Sequence, residues 1–268
     1  MMKYQIDHDF HIHTHLSKCS GDPGQTVERL LAYGKENGLR HICITNHFWD
    51  APLPCESKFH EGQDLAHIQK VLPFPEDPDV TFHFGCECEL DKHGVFGVLP
   101  EHLDQFEFLA LSVSHMHMKG FTYDPETDDS VEARIALYKK RMDWALALNL
   151  PWHKVGLAHP TTALIACARW EEHLQILDGI PDEDWRRWFT FLAQKGAGIE
   201  LNIEIFRFTE EDLPRGMRPY HIAKECGCRF YLGSDAHRLS QIEEAPARFA
   251  RIIEVLDLQE SDKWHLFP

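Results

Sequence analysis

The sequence predicts an α/β fold in which parallel strands alternate with amphipathic helices. Three observations predict it. Apolar runs of strand length recur along the chain, each followed by a polar turn and then a stretch of helical periodicity. The crossovers between these runs are long enough to hold helices, which parallel neighbours require. Strand after strand also ends in His, Glu or Asp, and parallel barrels carry their chemistry at the carboxyl ends of their strands. With 268 residues the chain is long enough for one domain with a full core.

The first strand is expected over Tyr4 to His13 and carries Asp9-Phe10-His11-Ile12-His13-Thr14. Strict alternation would set Asp9, His11 and His13 on one face and Phe10 and Ile12 on the other. Two neutral imidazoles beside a carboxylate make half a shell for a divalent metal. Gly21-Asp22-Pro23-Gly24 is a loop, and Thr26 caps a helix that stops at Asn37-Gly38. The second strand, His41 to Thr45, ends in Asn46-His47. Residues 48–79 are rich in Pro, Phe and acids, with a short helix expected from Glu61 to Val71; a connection this long tends to be functional.

Val80 to Glu87 is the third strand and Phe106 to His115 the fourth. Asp129-Ser130 opens a long helix through Leu148. Lys154 to Ala158 is the fifth strand, ending His159-Pro160, and Asp182 begins a Trp-rich helix to Lys195. Ala197 to Asn202 is the sixth strand, and a helix near Pro219 to Cys226 follows. Arg229 to Gly233 is the seventh strand, ending Ser234-Asp235-Ala236-His237, and residues 242–258 form the last helix. Trp144, Trp185 and Trp188 stand at helical spacings and read as packing residues.

Composition narrows the function. The balance of 27 basic to 43 acidic residues gives −16, which argues against a broad basic face for nucleic acid or anionic membrane. It leaves room for a small phosphate ester, because bound metal ions reverse the local sign. No apolar run approaches a membrane span, and the first ten residues lack the apolar stretch of a signal peptide, so a cytoplasmic location and reduced thiols are expected. Of the cysteines Cys19, Cys43, Cys55, Cys86, Cys88, Cys167, Cys226 and Cys228, most read as small core residues. Nothing in the sequence fixes an oligomeric state.

The strand ends gather His11, His13, His47, Glu87, His115, His159, Asp235 and His237. Six imidazoles and two carboxylates suffice for two or three divalent ions, and this donor mix suits zinc, manganese or iron. A carboxylate such as Glu87 can bridge two ions about 3.5–4 Å apart.

Asp9-x-His11-x-His13-Thr14, Thr45-Asn46-His47, Gly85-x-Glu87, Ser114-His115, His159-Pro160, Glu200-x-Asn202 and Gly233-Ser234-Asp235-Ala236-His237 resemble, in order, the motif series of the PHP (polymerase and histidinol phosphatase) family. The resemblance implies a distorted (βα)7 TIM-like barrel, a single PHP-type metal-dependent hydrolase domain over residues 1–268, and a two- or three-metal phosphoesterase centre. It implies one ion on His11, His13, Glu87 and Asp235, a second on Glu87, His115 and His159, and a third on His47 and His237. Two positions depart from the family pattern. Asn46 stands where an Asp is usual and is read as orienting rather than binding. Cys19 stands where many members have a His, so Cys19 or the nearby His15 would complete a third ion site, and a two-metal site is the alternative.

Chemically, a hydroxide on such ions attacks phosphorus without a protein nucleophile, while the ions neutralise the phosphoryl oxygens. Asp235 or His237 would shuttle the proton to the leaving group. Arg207, Lys18 and Arg238 are the candidate phosphate contacts, with Lys119 and Arg169 behind them, and the aromatic loop 48–60 would cover the site and stack on a substrate ring. The expected substrate is a small phosphorylated metabolite, with histidinol phosphate implied by the resemblance and a nucleotide phosphate as another candidate. Two other readings stand beside this one: hydrolysis of a carbon–nitrogen bond, as in the related amidohydrolases, and a non-catalytic metal-binding accessory module.

Overall fold

The computed structural model describes residues 2–204 and 208–267. Its strands are β1 (His8–Ile12), β2 (His41–Ile44), β3 (His47–Phe48), β4 (Thr81–Glu89), β5 (Phe108–Ser112), β6 (Val155–Ala158), β7 (Gly198–Asn202) and β8 (Arg229–Gly233). Each pairs in parallel with its neighbours in the order β1-β2-β4-β5-β6-β7-β8, and β3 adds to the upper half of β4. The result is a nearly closed barrel. Where the ends meet, Asp235 donates its N–H to the His11 carbonyl (2.6 Å), His13 donates to that of Ala236 (3.2 Å), and side chains continue the seam. Ser234 N–H donates to Asp9 Oδ1 and Leu232 N–H to His8 Nε2, each at 3.0 Å.

The helices are α1 (Val27–Asn37), α2 (Leu65–Ile68), α3 (Val131–Ala147), α4 (Trp170–Gly179), α5 (Asp182–Lys195), α6 (Leu213–Glu225) and α7 (Leu239–Val255). Local chemistry sets several of their ends. The Thr26 side chain accepts from Arg29 N–H, Gly38 closes α1 in the left-handed region, and the Ser130 side chain accepts from Ala133 N–H at the start of α3. Trp185 and Trp188 are fully buried, as their spacing predicts, and Trp144 packs from the edge. Of the eight free cysteines, Cys43, Cys86, Cys88 and Cys228 are buried, while Cys19 and Cys55 are exposed.

Apolar packing has two layers. The larger lies between strands and helices and includes Ile12, Ile42, Ile44, Tyr33, Leu111 and Leu201. The smaller fills the lower barrel with Phe10, Cys43, Phe108, Ala110, Ala158, Tyr231 and Trp264. Trp264 and Phe267, from the last residues described, close that end; Phe267 stacks on His83 with ring centres 3.4 Å apart. Gly198 makes room for this plug, because a Cβ there would stand 2.6 Å from the Trp264 ring. Among the described residues no helix is long and apolar enough to cross a membrane.

The first strand departs from strict alternation. Its pairing with β2 advances three residues, Asp9 to Ile12, while the partner advances two, Ile42 to Ile44. That extra residue is a β-bulge. Phe10 therefore joins the interior cluster and His11 points into the barrel as well, while Asp9 turns outward, where Oδ2 accepts from Tyr33 on α1 at 3.2 Å. Asp9 thus clamps β1 to β8 and α1 instead of standing beside the two imidazoles.

Candidate metal centre

Above the apolar plug, the carboxyl ends of the strands bring His11, His13, His47, Glu87, His115, His159, Asp235 and His237 together. Glu87 is the hub. Its Oε2 lies 2.9 Å from His47 Nδ1, 3.4 Å from His13 Nε2 and 3.5 Å from His11 Nε2. Its Oε1 lies 2.8 Å from His159 Nε2 and 3.6 Å from His115 Nε2. Asp235 Oδ1 stands 3.0 Å from His13 Nε2 and 3.5 Å from His11 Nε2. Three clusters result: His11, His13, Glu87 and Asp235; Glu87, His115 and His159; and His13, His47 and His237. A fourth, His11, His159 and Glu200, is joined through hydrogen bonds of Glu200.

The far nitrogens of the rings explain their orientation. Nδ1 of His11 meets Glu200 Oε1 (2.9 Å), that of His13 meets Ser17 Oγ (2.9 Å), and that of His115 meets Glu89 Oε2 (2.9 Å). His159 Nδ1 meets Ser114 Oγ (2.8 Å) and His237 Nδ1 meets the Asp235 carbonyl (2.7 Å). A proton on Nδ1 satisfies each acceptor and leaves Nε2 bare, the arrangement of a metal-binding histidine. Asn46 does orient: its Oδ1 accepts from Thr14 N–H, Thr14 Oγ1 and Ser17 Oγ, which places the hydroxyl under His13. His159 and Asp235 also hold positive φ angles of 29° and 51°. Strained backbone of this kind persists where the surroundings over-determine it, and it concentrates at functional sites.

This donor set fits divalent cations. The bare His11 and His13 Nε2 atoms face each other at 3.2 Å, and the buried Glu87 Oε2 and Asp235 Oδ1 have no hydrogen-bond partner. Two lone pairs and two orphaned carboxylate oxygens converging on one point call for a positive charge between them. Protons partly fill that role in the ion-free chain. Burial pulls His11 and His159 down, but carboxylates outweigh it: Glu200, Asp235 and Glu87 raise His11 well above 6.5, and Glu87 raises His159 to about 9. Burial likewise pushes Glu87 and Asp235 up, yet facing imidazoles hold both well below the usual carboxylate range.

These shifts link stability to pH. His159, raised in the folded chain, stabilises the ion-free form fully below about 6.5, and that contribution is lost as pH rises through about 9. A cation competes with the same proton. Titrating zinc into the ion-free protein at pH 7 is therefore expected to release protons, with affinity rising up to about pH 9. Calorimetry in two buffers of different ionisation enthalpy measures this, and uptake without proton release at pH 7 would contradict it.

The cluster opens into a cavity of about 710 Å³. Lys119 and Arg238 line it, as does Lys58, a cation that sequence reasoning missed. Lys18 does not reach it, because its ammonium donates to the carbonyls of Lys58 (3.0 Å) and Glu61 and staples that loop. Arg169 is spent on Asp129 and Glu172, and Arg207 lies outside the described residues. Among the described residues, Cys19 and His15 join none of the clusters. Cys19, exposed at the cavity wall, still has its sulfur partly shielded from water, and that shielding with the charges of Glu87 and Asp235 holds its thiol above the ordinary range. His15 is exposed, with Nδ1 3.4 Å from the Gln25 carbonyl. Of the aromatic loop, Phe59 lines the cavity with its ring edge to His47, while Trp49 is buried against Phe121 and is not free to stack on a ligand.

A nearly closed parallel barrel that gathers six imidazoles and two carboxylates at its strand ends has a donor set able to hold divalent metal ions. The family model for the PHP domain matches residues 9–204, and the chain belongs to that family. Among solved structures it resembles a histidinol phosphate phosphatase from Lactococcus lactis, determined with zinc, L-histidinol and phosphate, at 16% identity and a TM-score of 0.54, covering 96% of this chain and 98% of that one. Weaker likenesses are to a chain of archaeal ribonuclease P with mature tRNA (10% identity, TM-score 0.39, 93% and 91% covered) and to Plasmodium falciparum HPPK-DHPS (10%, 0.43, 95% and 48%). No curated protein sequence matches the chain.

Proposed function

We propose that this protein is a metal-dependent phosphoesterase acting on a small phosphorylated metabolite. The observation that carries the reading is Glu87: one buried carboxylate is shared between two donor sets and meets His47 and His115, which line a cavity whose walls also carry Lys58, Lys119 and Arg238. In this reading His11, His13, Glu87 and Asp235 hold one ion, Glu87, His115 and His159 a second, and His47 and His237 line a third position whose remaining ligands would come from solvent or substrate. Bound there, zinc, manganese or iron supplies a water acidified toward neutrality and positive charge facing the phosphoryl oxygens.

The rest falls to the chain. Lys58, Lys119 and Arg238 attract and orient the anionic end of the substrate. Phe59, Phe121 and Leu164 offer apolar wall to the remainder and keep water from it. The proton passed to a leaving oxygen is assigned to Asp235, which lines the cavity; His237, with Nδ1 tied to the Asp235 carbonyl, serves that role only when its Nε2 carries no ion. Kinship with the PHP family supports a phosphate ester as substrate. The barrel's likeness to a histidinol phosphate phosphatase makes histidinol phosphate the first candidate, with nucleotide phosphates next.

The test loads the ion-free protein with zinc or manganese and follows phosphate release from a panel of monoesters and diesters, with amides alongside. Turnover of a phosphoester that a chelator abolishes is the expected outcome. Turnover of amides alone would replace this reading with carbon–nitrogen hydrolysis, and tight ion binding with no turnover would replace it with an accessory role.

A further inference from the structure

Helix α3 buries two arginines, and one of them has no evident reason to be there from the barrel's own packing. Arg141 is fully buried on the inner face of the helix. A guanidinium out of water costs several kcal/mol unless every donor is met. Here each of its three nitrogens is met, and the partners come from three different segments. Nε donates to the Val113 carbonyl (2.8 Å), Nη1 to those of Leu90 (3.0 Å) and Thr122 (3.3 Å), and Nη2 to Glu89 Oε1. These contacts join the segments after β4 and β5 to the cavity loop that carries His117, Met118, Lys119 and Phe121.

Glu89 is equally buried and uses both oxygens. Oε1 takes Arg141 and the Leu90 N–H (3.0 Å), and Oε2 takes His115 Nδ1 (2.9 Å). The line Arg141–Glu89–His115 therefore ends on Nε2 of His115, 3.6 Å from Glu87 Oε1. We propose that Arg141, acting through Glu89, is a positioning residue for the metal centre, and that it fixes His115 with Nδ1 protonated and Nε2 turned toward Glu87. The inference rests on the metal-dependent reading above and adds to it that one ion set, Glu87–His115–His159, depends on this relay while the His11–His13–Asp235 set does not. The latter rings are held from elsewhere, by Glu200 and Ser17.

The structural alternative is that the pair merely staples α3 to the barrel. Glu89→Gln separates the two. A glutamine keeps the size of the side chain but has one acceptor oxygen where two are in use, so either His115 or Arg141 then faces an amide N–H. Zinc is titrated against a competing chromophoric chelator, cobalt(II) absorption reports the coordination of each ion, and thermal melting of the ion-free proteins reports the fold. The relay predicts that one ion binds about 10–100-fold more weakly, the reach of outer partners on metal ligands. The other ion keeps its affinity; melting of the ion-free protein falls under either reading, because Arg141 loses its charged partner, so the selective loss of one ion is what decides.

Equal weakening of every ion would mean a staple only, and an unchanged titration would also overturn the proposal. Wild-type protein that takes up no ion would instead sink the metal reading, and this inference with it. Should Glu89→Gln fail to fold, the native chain answers directly. Long-range proton–nitrogen correlation on 15N-histidine protein should show His115 with the proton on Nδ1, and a proton on Nε2 would refute the relay.

Discussion

Glu87→Ala is expected to remove bound ions and hydrolysis together, with the largest functional effect of any single change in the chain. Five imidazoles from four segments approach this one carboxylate, three at Oε2 and two at Oε1. Among the described residues Glu87 alone is shared by the two principal sets, His11–His13–Glu87–Asp235 and Glu87–His115–His159. Without it the first set falls from four donors to three and the second from three to two, and two histidines do not hold a divalent ion against water. Ions of this kind contribute several kcal/mol to the transition state, so a loss of at least about 10³-fold in turnover is expected at 1.36 kcal/mol per decade.

Stability separates ion loss from misfolding. Wild-type protein saturated with ion should gain roughly 4 kcal/mol at a thousandfold excess over Kd and lose it to a chelator. Glu87→Ala, left with three donors in the first set and two in the second, should lose most of that gain, so chelator moves its melting temperature far less than that of the wild type. Elemental analysis of the purified variant settles the matter: a full complement of ions, or full activity, would dismantle the assignment of the centre.

Much of this centre is legible in the amino-acid sequence alone. Strand ends repeat in a parallel barrel, so His47, Glu87, His115, His159 and Asp235 announce themselves by position, and in β4 the alternation of inward Glu87 and Glu89 with outward Cys86 and Cys88 holds. The same spacing, Glu87-x-Glu89, puts a second inward carboxylate on the strand, and that is the signal by which Glu89 could be found as an orienting group. What alternation cannot see is the bulge in β1. The residues His8 to His13 look regular in sequence, yet the extra residue turns Asp9 toward Tyr33 and brings Phe10 and His11 inside together.

Loop cations are illegible for another reason: no period governs where a lysine on a loop points. Lys18 and Lys58 look alike in sequence, yet the first holds the loop that carries the second. Helix α4 has no start signal in the sequence, because Arg169 supplies no side-chain cap. Helix α6 begins six residues before its expected start, because Pro219 lies within the helix and not at its first turn. Arg141 gives no sign, since a buried arginine and an exposed one read the same within an amphipathic pattern.

Gly233→Ala is expected to do from behind the site what Glu87→Ala does at its centre. Gly233 ends β8, and a Cβ there would stand 2.0 Å from Glu200 Oε1 and 2.7 Å from His11 Cβ. Glu200 cannot move aside at low cost. It is fully buried, its Oε1 holds His11 Nδ1 at 2.9 Å and takes Asn202 Nδ2 at 3.2 Å, and its Oε2 takes the His159 N–H. The added methyl must therefore displace the carboxylate that sets the angle of His11 and His159 from two strands. Overpacking of this kind costs about 1–3 kcal/mol, which urea unfolding of the ion-free variant would read. A misplacement near 1 Å at the reacting geometry costs about 10²-fold in rate. The coupling can be isolated: in a Glu200→Ala background the same Gly233→Ala change should cost less, because its main obstacle is gone and only the His11 contact remains. Equal costs in both backgrounds would show that Gly233 is not kept small for Glu200, and that the alignment of His11 has another source.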